Sequence, residues 1–333
     1  MRKGKRFRRA VMLKKSLLKT VLGLMGLLVL VYLGIQVYNN RIRAAITREV
    51  DELAARSEIL KAKSHLKSAD FAVLLLHGYG GSPYDYEPLE KHLKRAGISY
   101  RIALLPGHGT SAWDFQKADA KSWLTAVEKE FNDLKSSCAS VAVVGFSMGG
   151  ALTAILAAEK EVDSIVLLSP YFQVTDQWYY IGKPETWSAI MQHVIPFAGK
   201  FSMGMINDPK GRETYFSYRF LPLNTVSELA QVGTLAREKV QHIECPVLWF
   251  HSTGDFVADF PLSREMYDQV PSSNKRFIEM QKSDHILLYD YDREPVIQEL
   301  MQYLIERKKL AEDRAVVETL DDIHLPESAQ ESN

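Results

Sequence analysis

The strongest pattern along the chain is an uninterrupted apolar run near its start. From Thr20 to Asn40 there are 21 positions without a charge (TVLGLMGLLVLVYLGIQVYNN). At the rise of an α-helix, about 20 apolar residues cross the hydrocarbon layer of a bilayer, so residues 20–40 predict a transmembrane helix. A cleaved signal peptide is the competing reading, and it expects a shorter apolar core followed by small residues at a cleavage site. Here the run continues into Ile35, Gln36, Val37 and Tyr38 with no A-x-A pattern close behind, which favours an uncleaved anchor. Between 41 and 68, charged residues alternate with Ile42, Ile46, Val50, Leu53, Ile59 and Leu60 at near-helical spacing. That spacing predicts a stalk or linker helix.

Beyond residue 68 the pattern changes to short apolar runs separated by amphipathic stretches. The runs at 71–76, 98–104, 140–146, 164–169, 245–251 and 275–280 are too short for buried helices and predict strands. The stretches at 85–96, 119–135, 148–159, 261–269 and 295–310 predict helices. Such alternation, with near-continuous apolar strands, predicts an α/β domain over 69–310 with a mostly parallel sheet covered on both faces. Residues 171–240 break the rhythm. Twelve of the 50 positions from 171 to 220 are Phe, Trp or Tyr, and Met191, Met203 and Met205 accompany them. This insertion is either a satellite core or a cap whose apolar underside lines a ligand pocket.

Charge changes the picture through its distribution. The chain of 333 residues is 46% hydrophobic and 25% charged, which excludes disorder throughout. Its formal charge of zero argues against a nucleic-acid partner. Yet residues 1–20 carry nine Lys or Arg and no acid, whereas residues 311–333 carry seven acids against Arg314. The basic flank orients the apolar helix: positive-inside logic predicts a cytoplasmic N-terminus and the rest of the chain outside the cytoplasm. The acidic end predicts a solvated, disordered tail over 311–333. Cys138 and Cys245 each precede a predicted core strand and read as free thiols, and no His/Cys spacing predicts a metal site.

Gly145-Phe146-Ser147-Met148-Gly149 reads G-x-S-x-G between a predicted strand and a predicted helix. That context predicts a nucleophile elbow, a turn so sharp that flanking β-carbons would clash, with the Ser147 hydroxyl projecting above the sheet edge. A serine hydroxyl needs a base, and the base needs an acid to orient it. In this fold the chain order is Ser, acid, His. Asp255 and His285 both follow predicted strands and so share the edge that Ser147 occupies. Asp259 is the rival acid, and Asp255 is preferred because Gly254 would let the loop turn. His77 and His108 are the rival bases. Both precede the nucleophile, and each is followed by a glycine in a turn. His77-Gly78-Tyr79-Gly80-Gly81 after the first core strand predicts an oxyanion hole made by the backbone amides of Tyr79 and Met148.

HGYGG, LPGHG, GFSMGG, GDFVAD and SDHILLYD, in this order and spacing, resemble the α/β-hydrolase superfamily. The chain is most similar to its monoacylglycerol lipase and bacterial carboxylesterase branch over about 71–306. The resemblance implies Ser147 as nucleophile, Asp255 as acid, His285 as base, Tyr79 and Met148 as oxyanion donors, and a cap between Ser169 and Pro246. It implies carboxylesterase or lipase chemistry, with no metal or organic cofactor, and the apolar cap and membrane tether together predict lipophilic acyl esters such as monoacylglycerols as substrates. The same triad acting on thioester, amide or peptide bonds is the second expectation. A non-catalytic, membrane-tethered binding protein is the third.

Overall fold

The apolar run lies within one long helix, α1 (Arg2–Ala55), in a computed structural model that describes residues 2–176, 184–199 and 205–324. A window of this helix has mean hydropathy 2.2 with none of it buried, long and apolar enough to cross a membrane. The helix does not end at the close of that run. Ile42, Ile46, Glu49 and Leu53 recur at helical spacing along one face, and Ile46, Glu49 and Leu53 are buried against the domain. The stretch predicted as a stalk is therefore built into the domain. A short turn, α2 (Ser57–Leu60), buries Leu60, and β1 (Lys63–His65) joins the sheet.

The core alternates as the pattern predicts. The chain runs through β2 (Phe71–Leu76), α3 (Glu87–Arg95), β3 (Ser99–Ile102), α4 (Ala112–Phe115), α5 (Ala120–Lys135), β4 (Ser140–Phe146), α6 (Met148–Glu159) and β5 (Ser164–Leu168). The insertion follows with α7 (Pro184–Met191), β6 (Phe197–Gly199), α8 (Pro209–Thr214), β7 (Phe220–Pro222) and α9 (Leu223–Lys239). The core resumes with β8 (Val247–Ser252), α10 (Phe260–Gln269), β9 (Lys275–Met280) and α11 (Arg293–His324). The seven-stranded sheet has the order β1-β3-β2-β4-β5-β8-β9. Only the β1–β3 pairing is antiparallel, so β2, β4, β5 and β8 end at one edge.

Strand side chains alternate between two apolar layers. Leu74, Leu76, Val143, Leu167 and Trp249 face one, and Val73, Leu75, Val144, Leu168 and Phe250 the other. Within the insertion, β6 and β7 form a separate antiparallel ribbon. Helix α9 packs on α6 and buries Val232 and Ala236. The predicted cap interval of 171–240 thus includes one helix of the core layer. Its Met203 and part of its aromatic cluster (Trp178, Tyr179, Tyr180 and Phe201) lie outside the described residues, as do residues 325–333.

The acidic end also departs from expectation. Helix α11 continues past Leu310 to His324, Ala311 is buried, and Arg314 reaches the Asp163 carboxylate that Arg307 also binds. An apolar anchor and a buried ion pair extend the helix into a segment whose composition alone reads as solvated tail. Cys138 and Cys245 are free thiols.

Candidate active site

Ser147 sits between β4 and α6 with φ 53° and ψ −116°, a conformation that a non-glycine residue rarely adopts. The surrounding contacts impose it. A β-carbon at Gly145 would lie 2.3 Å from the Gly149 carbonyl oxygen, and one at Gly149 would lie 2.0 Å from that of Leu76. With no side chains there, α6 approaches the sheet edge closely, and the Ser147 amide donates to Leu168 O at 3.0 Å. Met148 opens α6, where first-turn amides have no acceptor within the helix and the helix dipole favours negative charge.

The glycine-rich loop after β2 runs beside this turn, since a β-carbon on Gly78 would lie 3.4 Å from that of Ser147. Polar side chains hold it. Asp85 Oδ2 accepts the Gly78 amide at 3.0 Å, and His108 Nε2 accepts the Gly80 amide at 3.0 Å. Tyr86 OH donates to both Leu76 O and Val144 O, tying β2 to β4. The Tyr79 phenol reaches Thr225 Oγ1 on α9 at 2.5 Å, so its side chain points toward α9 while its backbone stays in the loop. His77 Nε2 accepts the Leu105 amide at 3.0 Å. Burial holds the His77 imidazole down at about 4 against the pull of its bond to Gly78 O, which keeps it neutral and an acceptor. Both rival histidines thus brace loops.

The acid and the imidazole arrive from the other side. Asp255 follows β8, and its Oδ1 accepts the Val257 and Ala258 amides, each at 2.8 Å. Its Oδ2 lies 2.8 Å from His285 Nδ1, and His285 Nε2 lies 2.9 Å from Ser147 Oγ. Burial opposes the Asp255 charge, but the facing His285 and the hydrogen bonds from His251 and His285 hold the carboxyl well below the ordinary range. Asp259 does not reach His285; it caps α10 through the Leu262 amide at 2.7 Å. Gly254 is not the reason Asp255 prevails. Its φ is not left-handed, and a β-carbon there would lie no closer than 3.8 Å to Ser283 O.

Three further carboxylates staple the loop that carries His285. Asp290 accepts four backbone amides: Asn207 at 2.7 Å and Asp208, Asp284 and Tyr291 at 2.8 Å. Asp292 accepts Lys282 and Ser283, each at 2.9 Å. Asp284 accepts His285 at 2.7 Å and Phe256 at 2.9 Å, joining the loops that carry Asp255 and His285. Burial pushes the Asp284 carboxyl up to about 6, against the Phe256 amide and with help from the Asp255 charge. None of these was predicted as functional, although the acid spacing in SDHILLYDYD was open to view. Asp85 had a visible signal too: Ser82-Pro83-Tyr84-Asp85 forms a capping box.

An aligned Asp–His–Ser chain on a parallel sheet edge, with a glycine-rich loop beside the serine, is the arrangement for nucleophilic acyl transfer. Residues 67–292 match the Hydrolase_4 family, described as serine aminopeptidase, S33. The chain belongs to this α/β-hydrolase family.

This hydrolase is 25% identical over 240 residues to a thermostable monoacylglycerol lipase of Bacillus sp. strain H-257, covering 72% of its own length and 92% of the relative. It is 23% identical over 240 residues to a carboxylesterase of Bacillus subtilis strain 168, covering 72% and 94%. Among solved structures, that of the metagenome-derived lipolytic enzymes LipS and LipT superposes with a TM-score of 0.68 at 20% identity, over 74% of this chain and 98% of the other. The hydrolase is thus a relative of monoacylglycerol lipases and carboxylesterases. Residues 1–66 lie outside the family match.

Proposed function

We propose that this hydrolase cleaves carboxylic esters of lipophilic acyl groups, monoacylglycerols among them, through a Ser147–His285–Asp255 triad. The observation that carries the reading is the unbroken chain of 2.8 Å and 2.9 Å contacts from Asp255 to Ser147. His285 Nε2 takes the Ser147 proton as Oγ attacks the ester carbonyl carbon. The oxyanion rests on the Tyr79 and Met148 amides, and removal of one such donor costs about 3 kcal/mol of transition-state stabilisation. His285 returns the proton to the departing alcohol. Water, deprotonated by His285, then attacks the acyl-enzyme, and collapse releases the acid and restores Ser147.

The lipophilic preference is supported by where α1 meets the insertion. Asn39, at the close of the apolar run, donates from Nδ2 to Val194 O at 2.9 Å. Ile42 and Ile46 pack with Trp113, Phe197 and Phe220. Trp187, Ile190 and Val194 of the insertion are exposed close by in sequence. In this reading α1 spans a bilayer with its basic flank in the cytoplasm, and the insertion is a cap held at the membrane surface. Protease added to intact cells or spheroplasts is expected to digest the catalytic domain; full protection would reverse the orientation.

The test of the chemistry uses full-length protein in detergent and a panel of p-nitrophenyl esters, monoacylglycerols, lysophospholipids and aminoacyl anilides. Ester turnover is expected, with Ser147→Ala abolishing both turnover and labelling by a fluorophosphonate. Wild-type activity in that variant would end the assignment. Preference for the anilides would favour amide chemistry, and a folded protein with neither labelling nor turnover would favour a binding role.

A further inference from the structure

A second imidazole lies against the Asp255 carboxylate, and the reaction described above does not use it. His251, on β8, is fully buried. Its Nε2 lies 3.2 Å from Asp255 Oδ2, the oxygen that His285 also engages, and 3.1 Å from Ala258 O. Its Nδ1 lies 2.6 Å from Ser263 Oγ on α10. Trp249, two residues earlier and so on the same face of β8, has its indole nitrogen 3.1 Å from that same hydroxyl.

Giving the Ser263 hydrogen an acceptor among the contacts of its oxygen assigns the protons. An indole N–H can only donate, so Ser263 Oγ accepts from Trp249. The Ser263 hydrogen then goes to the short contact at His251 Nδ1, which makes Nδ1 an acceptor. The ring proton is therefore on Nε2, facing two oxygen acceptors. This is the neutral tautomer that satisfies every polar atom in the cluster.

We propose that His251 is a positioning residue for the triad: a neutral imidazole, locked in its Nε2–H form by Trp249 and Ser263, that holds Asp255 Oδ2 on His285. The proposal rests on the triad reading. Asp255 Oδ1 is already held by two amides, so the fourth donor removes the remaining rotational freedom of the carboxylate. A neutral donor does this without adding a positive charge that would oppose the imidazolium forming on His285. The titratable groups around Asp255 are His285, His251 and Asp284.

The experiment compares full-length His251→Phe, His251→Gln and Ser263→Ala with the parent enzyme. It reads kcat, KM and the pH profile of kcat/KM on a p-nitrophenyl ester between about pH 5 and pH 9. In His251→Phe, kcat is expected to fall about tenfold with little change in KM, the worth of one hydrogen bond to a charged group. The acid limb is expected to rise by about half a pH unit, because a carboxylate relieved of one donor holds an imidazolium more tightly. His251→Gln keeps an N–H donor and is expected to recover most of both. Ser263→Ala removes a single oxygen and shifts both in the same direction by less, so it carries the test if the phenylalanine variant does not fold. A parental kcat and profile in His251→Phe would overturn the proposal. So would activity losses that follow thermal stability while the profile stays fixed. Failure of the triad reading is separate: it shows as turnover surviving in Ser147→Ala.

Discussion

The two halves of the active site are held by opposite means. On the serine side, the turn itself is made by the absence of side chains: Gly145 and Gly149 let α6 press against the backbone of β2 and β4, where a β-carbon would lie within 2.3 Å of a carbonyl oxygen. The histidine half is made by side chains. Asp284, Asp290 and Asp292 collect backbone amides and so fold a loop that has no strand or long helix of its own. One half is fixed by steric exclusion, which neither salt nor pH touches. The other is fixed by buried charge, which costs desolvation wherever it is not fully paired. Ser147 therefore has a rigid seat, and His285 has one that rests on buried carboxylates.

Three substitutions sharpen that contrast, taken in order of expected effect. Gly149→Ala drives a β-carbon to 2.0 Å from Leu76 O, backbone against backbone. Thermal or urea unfolding is expected to show a loss of about 3 kcal/mol or more, independent of pH, together with loss of turnover. A well-folded, active variant would show the turn to be less crowded than described. Asp290→Ala removes the acceptor of four amides, two within the His285 loop and two that join it to residues 207 and 208. A loss of about 2–4 kcal/mol is expected, with kcat falling more than KM rises as His285 loses its aim.

The smallest effect has the opposite sign. Folding raises the Asp284 carboxyl from its ordinary value of 3.8 to about 6, so the folded state binds more protons than the unfolded state between those values. Asp284 therefore costs increasing stability as pH rises through that window, and the cost is complete above it. Asp284→Asn keeps an acceptor for the two amides and is expected to stabilise the enzyme by about 1–2 kcal/mol above neutrality. That gain should vanish below about pH 4. Equal stability of the two proteins at all pH values would show that Asp284 carries no such strain.

The same contrast separates what was legible in the chain from what was not. Gly145-x-Ser147-x-Gly149 announced the elbow because its requirement is local: a tight turn between a β-branched run and a helix-forming one leaves glycine as the residue that fits. Gly254 favours Asp255 over Asp259 along the chain, but the geometry gives that glycine no part. What brings Asp255 to His285 is the pair of amides at 257 and 258, whose direction depends on how the whole loop folds. Asp85, Tyr86, His251 and Asp290 work across 7 to 83 residues of chain. Sequence periodicity has no means of expressing such contacts.

The sequence by itself determined the apolar helix, the alternating α/β order, the elbow and the order of its partners. Each of these follows from periodicities of two or 3.6 residues or from one tight turn. Tertiary structure alone decided that the end of α1 packs into the domain, that α11 continues past Leu310 onto Asp163, and which buried carboxylates hold His285. These depend on desolvation and pairing between distant segments, and a charged residue reads the same along the chain whether it faces water or a buried partner.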